Sequence, residues 1–230
     1  MRRLSTIAEM TGREILRRRA VLFLLLLFPL PFYLLQRAEH PGQAIRFLFV
    51  GLSWAISGSA MFVAHSGRAI DPRLRLSGYR AHHLWMGRMS ALWLIGTVVT
   101  LPYLALVVVD QPRVRHGALA VAMVLCVAVA APFGLLLGAV VSREFEGTLL
   151  LLVTVGIQMV ADPATTTARL MPFWSGREIG TYAIDHTDTG FLVRGVAHGL
   201  ACALLFSLAL AVVSALRLRR RRHLRTLPAN

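Results

Sequence analysis

The chain has 230 residues, 56% of them hydrophobic, with 25 basic against 11 acidic side chains and a net charge of +14. Every basic residue is arginine, and the arginines flank apolar stretches, so the charge points to anionic lipid headgroups and acidic protein surfaces and away from nucleic acid. The length fits one six-helix membrane domain with no space inside this sequence for an ATPase domain, and Cys126 and Cys202, both within apolar runs, give neither a disulfide framework nor a metal-ligand spacing.

Residues 1–19 predict a basic amphipathic helix. Leu4, Ile7, Ala8, Thr11 and Ile15 share one face, opposite Arg2, Glu9, Arg13 and Arg17, so the segment is expected to lie along the cytoplasmic membrane surface. The alternative is a solvated leader. Because polar residues including Glu9 and Glu14 precede the first apolar run and no small-residue cleavage site follows it, that run is expected to remain in the mature protein.

Six apolar runs follow, at 20–36, 47–64, 89–109, 117–141, 148–161 and 196–216, none with a charge in its interior. Helices are expected, because lipid cannot satisfy an open backbone, and most runs approach the roughly 20 residues a crossing needs. Pro29 and Pro31 should kink the first. The fifth is short enough to be re-entrant. With six crossings and a cytoplasmic N-terminus, 18 arginines lie inside and seven outside; if the fifth run does not cross, the split becomes 15 and 10 with the Arg-rich tail, 217–230, outside. The positive-inside rule therefore favours six crossings and two cytoplasmic termini.

Between the second and third runs, 65–88 is the longest cytoplasmic connection. Asp71-Pro72 has the form of a helix start, with the aspartate as cap, and the helix should break near Ser77-Gly78. Arg73, Arg75, Arg80, His82 and His83 would form its cationic face and Leu74, Leu76, Tyr79 and Leu84 its apolar one; a solvated loop is the alternative. The second cytoplasmic loop, 142–148, places Arg143, Glu144 and Glu146 either against a partner or at the positive end of the next helix. In the external stretch 162–195, Ser175 and Glu178 have capping-box spacing, so one or two short helices should dip toward the membrane, with Trp174 and Tyr182 in the headgroup layer.

Chemistry-bearing residues are few. No Asp, Glu or Arg lies inside the six runs, which weakens a proton-coupled transport reading, and His65 and His198 fall at run ends, as interfacial residues do. Ala55-Ile-Ser57-Gly58 partly resembles the serine motif of rhomboid proteases, but its leading glycine is missing and the serine is in the wrong run. Ser53 and Ser57, and likewise Thr154 and Gln158, are one turn apart: they line a substrate path or bond neighbouring helices. Ala130, Gly134 and Gly138 form a small-residue stripe for helix packing.

Taken in order, these features resemble the permease subunit of type-2 ABC transporters. The local matches are Arg13-Glu-Ile-Leu-Arg-Arg-Arg19 entering the first run, Leu76-Ser-Gly-Tyr79 with Gly87-Arg88 before the third, and Ser142-Arg-Glu-Phe-Glu-Gly-Thr-Leu149 before the fifth. Many members of that family carry a similar acidic box in the first cytoplasmic loop, whereas here it stands in the second. The resemblance implies an all-α integral membrane protein of the cell membrane, multi-pass with six transmembrane helices, pairing with a second copy or a paralogue. It also implies ATP and Mg bound by separate ABC-type ATPase subunits, with no cofactor, metal or catalytic site on this chain. The absence of a phosphate-binding G-x-x-x-x-G-K-[ST] stretch agrees with that division.

The expected function is export of an amphiphilic, lipid-like or drug-like substrate. Coupling to the ATPase is assigned to Asp71, Arg73, Arg75, Tyr79, Arg143, Glu144, Glu146, Arg13 and Arg17, and the path to Ser53, Ser57, Thr154 and Gln158, since the second and fifth spans of that family face each other across the dimer. The alternatives are a stand-alone secondary exporter or channel, and a membrane anchor recruiting a cytoplasmic protein through the Arg-rich loops.

Overall fold

An apolar chain satisfies its own backbone most simply as helix, and a computed structural model, which describes residues 2–160 and 165–218, has no strand among them. Its helices are α1 (Arg2–Arg17), α2 (Arg19–Leu27), α3 (Pro29–Leu34), α4 (Pro41–Gly67), α5 (Asp71–Leu76), α6 (Ala81–Asp110), α7 (His116–Val140), α8 (Glu144–Val160), α9 (Thr166–Arg169), α10 (Trp174–Ile184) and α11 (Thr189–Arg217). Four of them, α4, α6, α7 and α11, are long and apolar enough to cross a membrane. The chain is an all-α membrane protein.

The expected first and fifth spans fall short of that length for separate reasons. Pro29 and Pro31 cannot donate to carbonyls one turn earlier, so the first run breaks at Phe28, with Pro29 opening α3. A carbonyl at the break, that of Leu26, accepts the Tyr103 hydroxyl of α6. The fifth run becomes α8, whose 17 residues reach about 26 Å. It starts four residues before the apolar run, at Glu144, and residue 161 lies outside the described residues. The last turn of each segment is tied to a neighbouring element. Tyr33 in α3 donates to Asp110 at the end of α6 (2.5 Å), and Gln158 near the end of α8 accepts from the Phe173 amide just before α10 (3.2 Å).

The core is the contact between α4 and α7. Gly134 and Gly138 face Ser57, Ala60, Met61 and Ala64 so closely that a Cβ on Gly134 would lie 2.1 Å from the Ser57 carbonyl oxygen. Ala130, also buried, accepts the Ser57 hydroxyl at 3.2 Å. The outer faces of the bundle stay apolar and uncovered, with Leu94 and Val98 on α6, Leu152 and Val153 on α8, and Leu204 and Leu208 on α11 all exposed. Such a surface suits lipid or a partner and not water.

Three local expectations change in the folded chain. The apolar stripe of α1 is buried, but on protein: Ile7 packs against Gly87 of α6, while Ile15 joins the core. Asp71 is not a cap. The first loop helix, α5, begins at Asp71 with no side-chain cap, because the carboxylate is bonded to Arg88; the helix ends at Leu76, before Gly78 at φ +86°. Likewise Ser175 and Glu178 form no capping box: the cap position is Phe173, two residues before Ser175, and Glu178 accepts from Arg194 of α11 at 3.2 Å. Trp174 is buried against the His198 ring, 5.0 Å away.

Candidate functional site

One end of the bundle gathers α1, α5, the first turns of α6 and α8, and the last turns of α4, α7 and α11. Asp71 and Arg88 join it together with two hydrogen bonds, 2.5 and 3.1 Å, between side chains only 15% and 13% exposed. Arg75 donates to the carbonyls of Tyr79 (3.2 Å) and Leu218 (3.3 Å), linking the loop to the end of α11. The Tyr79 ring lies 5.7 Å from the Arg3 guanidinium of α1. Arg73, Arg17 and Glu144 are exposed, Arg13 pairs with Glu9 at 2.5 Å, and Arg143 pairs with Glu146 at 3.5 Å on an exposed surface. The nine residues assigned to coupling thus divide into a rigid group, Asp71, Arg75 and Tyr79, and a solvated group of six.

Beyond the arginines assigned to coupling, two that sequence reasoning counted only for orientation, Arg68 and Arg217, hold a helix end. The last carbonyls of α7 have no partner within the helix. Arg68 donates to the carbonyls of Gly138 (2.6 Å), Ser142 (2.8 Å) and Val141, while Arg217 donates to Ala139 (3.0 Å) and a His65 ring nitrogen bonds Val141 (3.1 Å). Burial, and after it the nearby Arg217 charge, lowers the Arg68 pKa from its ordinary value. The carbonyl contacts offset that cost, helped by the negative end of the α7 dipole. Arg68→Ala is expected to destabilise the protein by about 2 kcal/mol, with Arg68→Lys intermediate, in thermal unfolding of the detergent-solubilised chain.

The other end holds a cavity of about 300 Å3 between α4, the end of α8, and the segment from α9 to α10. Ser53 and Gln158 line it, but Ser57 and Thr154 do not. Ser53 and Ser57 are both turned toward α7: Ser53 bonds the Phe49 carbonyl (2.6 Å) and lies 3.2 Å from the Cys126 sulfur, and Ser57 is fully buried on Ala130. Thr154 donates back to the Leu150 carbonyl at 2.8 Å. Helix bonding therefore occupies the hydroxyls of three of the four proposed path residues. Gln158 spends its side-chain carbonyl on Phe173.

The cavity also contains residues to which no motif pointed. Arg46 reaches Asp185 at 2.7 Å and Thr181 at 3.4 Å, and Arg177 and Trp174 complete the wall. In the sequence Arg177 was marked only by its place in a short external helix and Arg46 only by its place just before the second apolar run. His198 bonds the Arg169 carbonyl at 2.9 Å and Ser57 that of Ala130, so the two residues of the hydrolase reading have no hydrogen bond in common. Among the described residues no group of three or more His, Cys, Asp or Glu could hold a metal ion. Compared with protein-family models and with curated proteins, the chain gives no match to either.

Proposed function

We propose that the chain is the permease subunit of an ATP-driven exporter of the type-2 ABC class, crossing the cell membrane six times with both termini in the cytoplasm. The observation that carries this reading is the joined platform at the α1 end. There α5 is bolted to α6 through Asp71 and Arg88, and the adjacent Arg68 is bolted to α7, so a push on the loop moves the centre of the bundle. Charge supports the orientation: among the described residues the α1 end carries 13 arginines against five acids, and the opposite end seven against five. An ATPase subunit would press on the exposed members of the platform, Arg73, Arg143 and Glu144. Two copies, or this chain and a paralogue, would meet through the uncovered apolar faces, and the apolar walls favour an amphiphilic cargo.

The test is substrate-stimulated ATP hydrolysis by the chain reconstituted in liposomes with its ATPase. Arg73→Glu, Arg143→Glu and Glu144→Ala combined are expected to lower the stimulation at least tenfold; unchanged stimulation rejects the coupling. Asp71 is left out of that variant, since its replacement would disturb the fold. Transport by the chain alone, without ATP, would instead select the stand-alone exporter.

A further inference from the structure

The cavity between α4, α8 and α10 combines cationic, polar and apolar lining, as a site for an amphiphile does. At its rim stand two arginines, Arg46 and Arg177, and among the described residues no acidic side chain lines it. Apolar wall is supplied by Phe47, Val50 and Met171, beside the polar Gln43, Ser53 and Gln158. Ser53, seven residues on from Arg46, lies about 10 Å deeper along α4. A volume near 300 Å3 is at the lower limit of ordinary small-molecule sites, enough for a headgroup and the first part of an acyl chain.

A second observation points to the ligand's charge. Four buried side-chain nitrogen or oxygen atoms lack a hydrogen-bond partner among the described residues, and two of them, Arg46 Nε and Trp174 Nε1, belong to this cavity's lining. Trp174 is only 7% exposed. Both orphans are N–H donors, and a buried donor without an acceptor is costly. An anionic oxygen at the rim supplies what both lack, once the indole and the guanidinium turn slightly toward it, and it adds the charge that two arginines and a low-polarity wall favour. Asp185, outside the cavity, takes one Nη of Arg46 and neutralises part of its charge, and the Nε–H is left without an acceptor.

We infer that this cavity binds an anionic amphiphile, with a carboxylate or phosphate headgroup on Arg46, Arg177 and the Trp174 indole N–H and its chain along Phe47, Val50 and Met171. That the bound molecule is cargo rests on the exporter reading above; the binding itself does not. The two are therefore tested separately, the binding on the chain without any ATPase.

Native mass spectrometry of the delipidated chain in neutral detergent reads the binding directly. Laurate and dilauroyl phosphatidic acid are the two anionic sources. Dilauroyl phosphatidylcholine tests the charge and inorganic phosphate the chain. One equivalent of at least one anionic amphiphile is expected, held at least tenfold more tightly than phosphatidylcholine or phosphate, and whichever anion wins names the headgroup. Arg46→Gln and Arg177→Gln should each weaken it about tenfold, and Trp174→Phe, which keeps the ring and removes the donor, several-fold. Arg113→Gln makes the same charge change at the same end but outside the cavity, and should leave binding unchanged. Equal retention of phosphatidylcholine, equal binding of phosphate, an equal loss from Arg113→Gln, or no retained anion would each overturn the assignment.

Discussion

Asp71→Ala is expected to cost about 3 kcal/mol, because it strands the Arg88 guanidinium in a site where only 13% of that side chain is exposed. Arg88 makes two bonds to the Asp71 carboxylate, and a Cβ on Gly67, at the end of α4, would touch its guanidinium, so the pair sits where α4, α5 and α6 converge. Removing one partner leaves a buried charge; removing both does not. The double variant Asp71→Ala with Arg88→Met should therefore recover most of the loss. In apparent melting temperature the single variant should fall by roughly 6–12 °C, using the usual 2–4 °C per kcal/mol for a chain of this size. Equal losses in the single and double variants would mean that the ion pair contributes nothing beyond its parts.

The same pair shows what the sequence could and could not convey. An Asp-Pro dipeptide after a long apolar run is a sound signal for a helix start, and α5 does begin there. The partner of the aspartate was not visible, because Arg88 is 17 residues away and becomes a neighbour only when α6 folds back along α4. Glu178 repeats the pattern: its spacing from Ser175 is that of a capping box, but Arg194 from the following helix takes the carboxylate. Local capping is worth about 1 kcal/mol, and a charge-assisted bond inside a bundle exceeds it.

Long elements were legible because twenty apolar residues in a row leave few alternatives. Of the six runs, four are helices long enough to cross a membrane; of the exceptions the first carries two prolines two residues apart and the fifth is short, whereas the single prolines Pro102 and Pro132 leave α6 and α7 continuous. Side-chain direction was the harder problem. Ser53 and Ser57 share one face of α4, and composition alone cannot say whether that face meets a cavity or another helix. The stripe on α7 decides it: with Ala130, Gly134 and Gly138 opposite, the helices come close enough for the serine hydroxyls to bond across or back to backbone. The cavity arginine Arg46 was hidden for a different reason. It lies on α4 before the apolar run, among charges that an orientation count treats as equivalent.

Gly134→Ala should be the most damaging single-methyl change in the molecule, whereas Gly156→Ala should be harmless or stabilising. Both replace a helical glycine, and in isolation each gains up to about 1 kcal/mol of helix propensity. Their surroundings differ. A Cβ on Gly156 meets nothing within 4 Å, but one on Gly134 meets the Ser57 carbonyl oxygen at 2.1 Å and the Ala60 Cβ at 2.8 Å. The Ser57 atoms in the way are backbone, so no rotamer change can clear them, and α4 and α7 must separate by about an ångström, a shift whose overpacking cost is about 1–3 kcal/mol. Separation also lengthens the Ser57–Ala130 hydrogen bond, now 3.2 Å, inside a core with no water to replace it. Thermal unfolding of the two variants side by side in the same detergent should therefore give shifts of opposite sign or, at the least, a loss confined to Gly134. If both variants unfold at the wild-type temperature, α4 and α7 are not the closely packed centre of the bundle, and the path by which a push on α5 reaches the cavity end disappears with them.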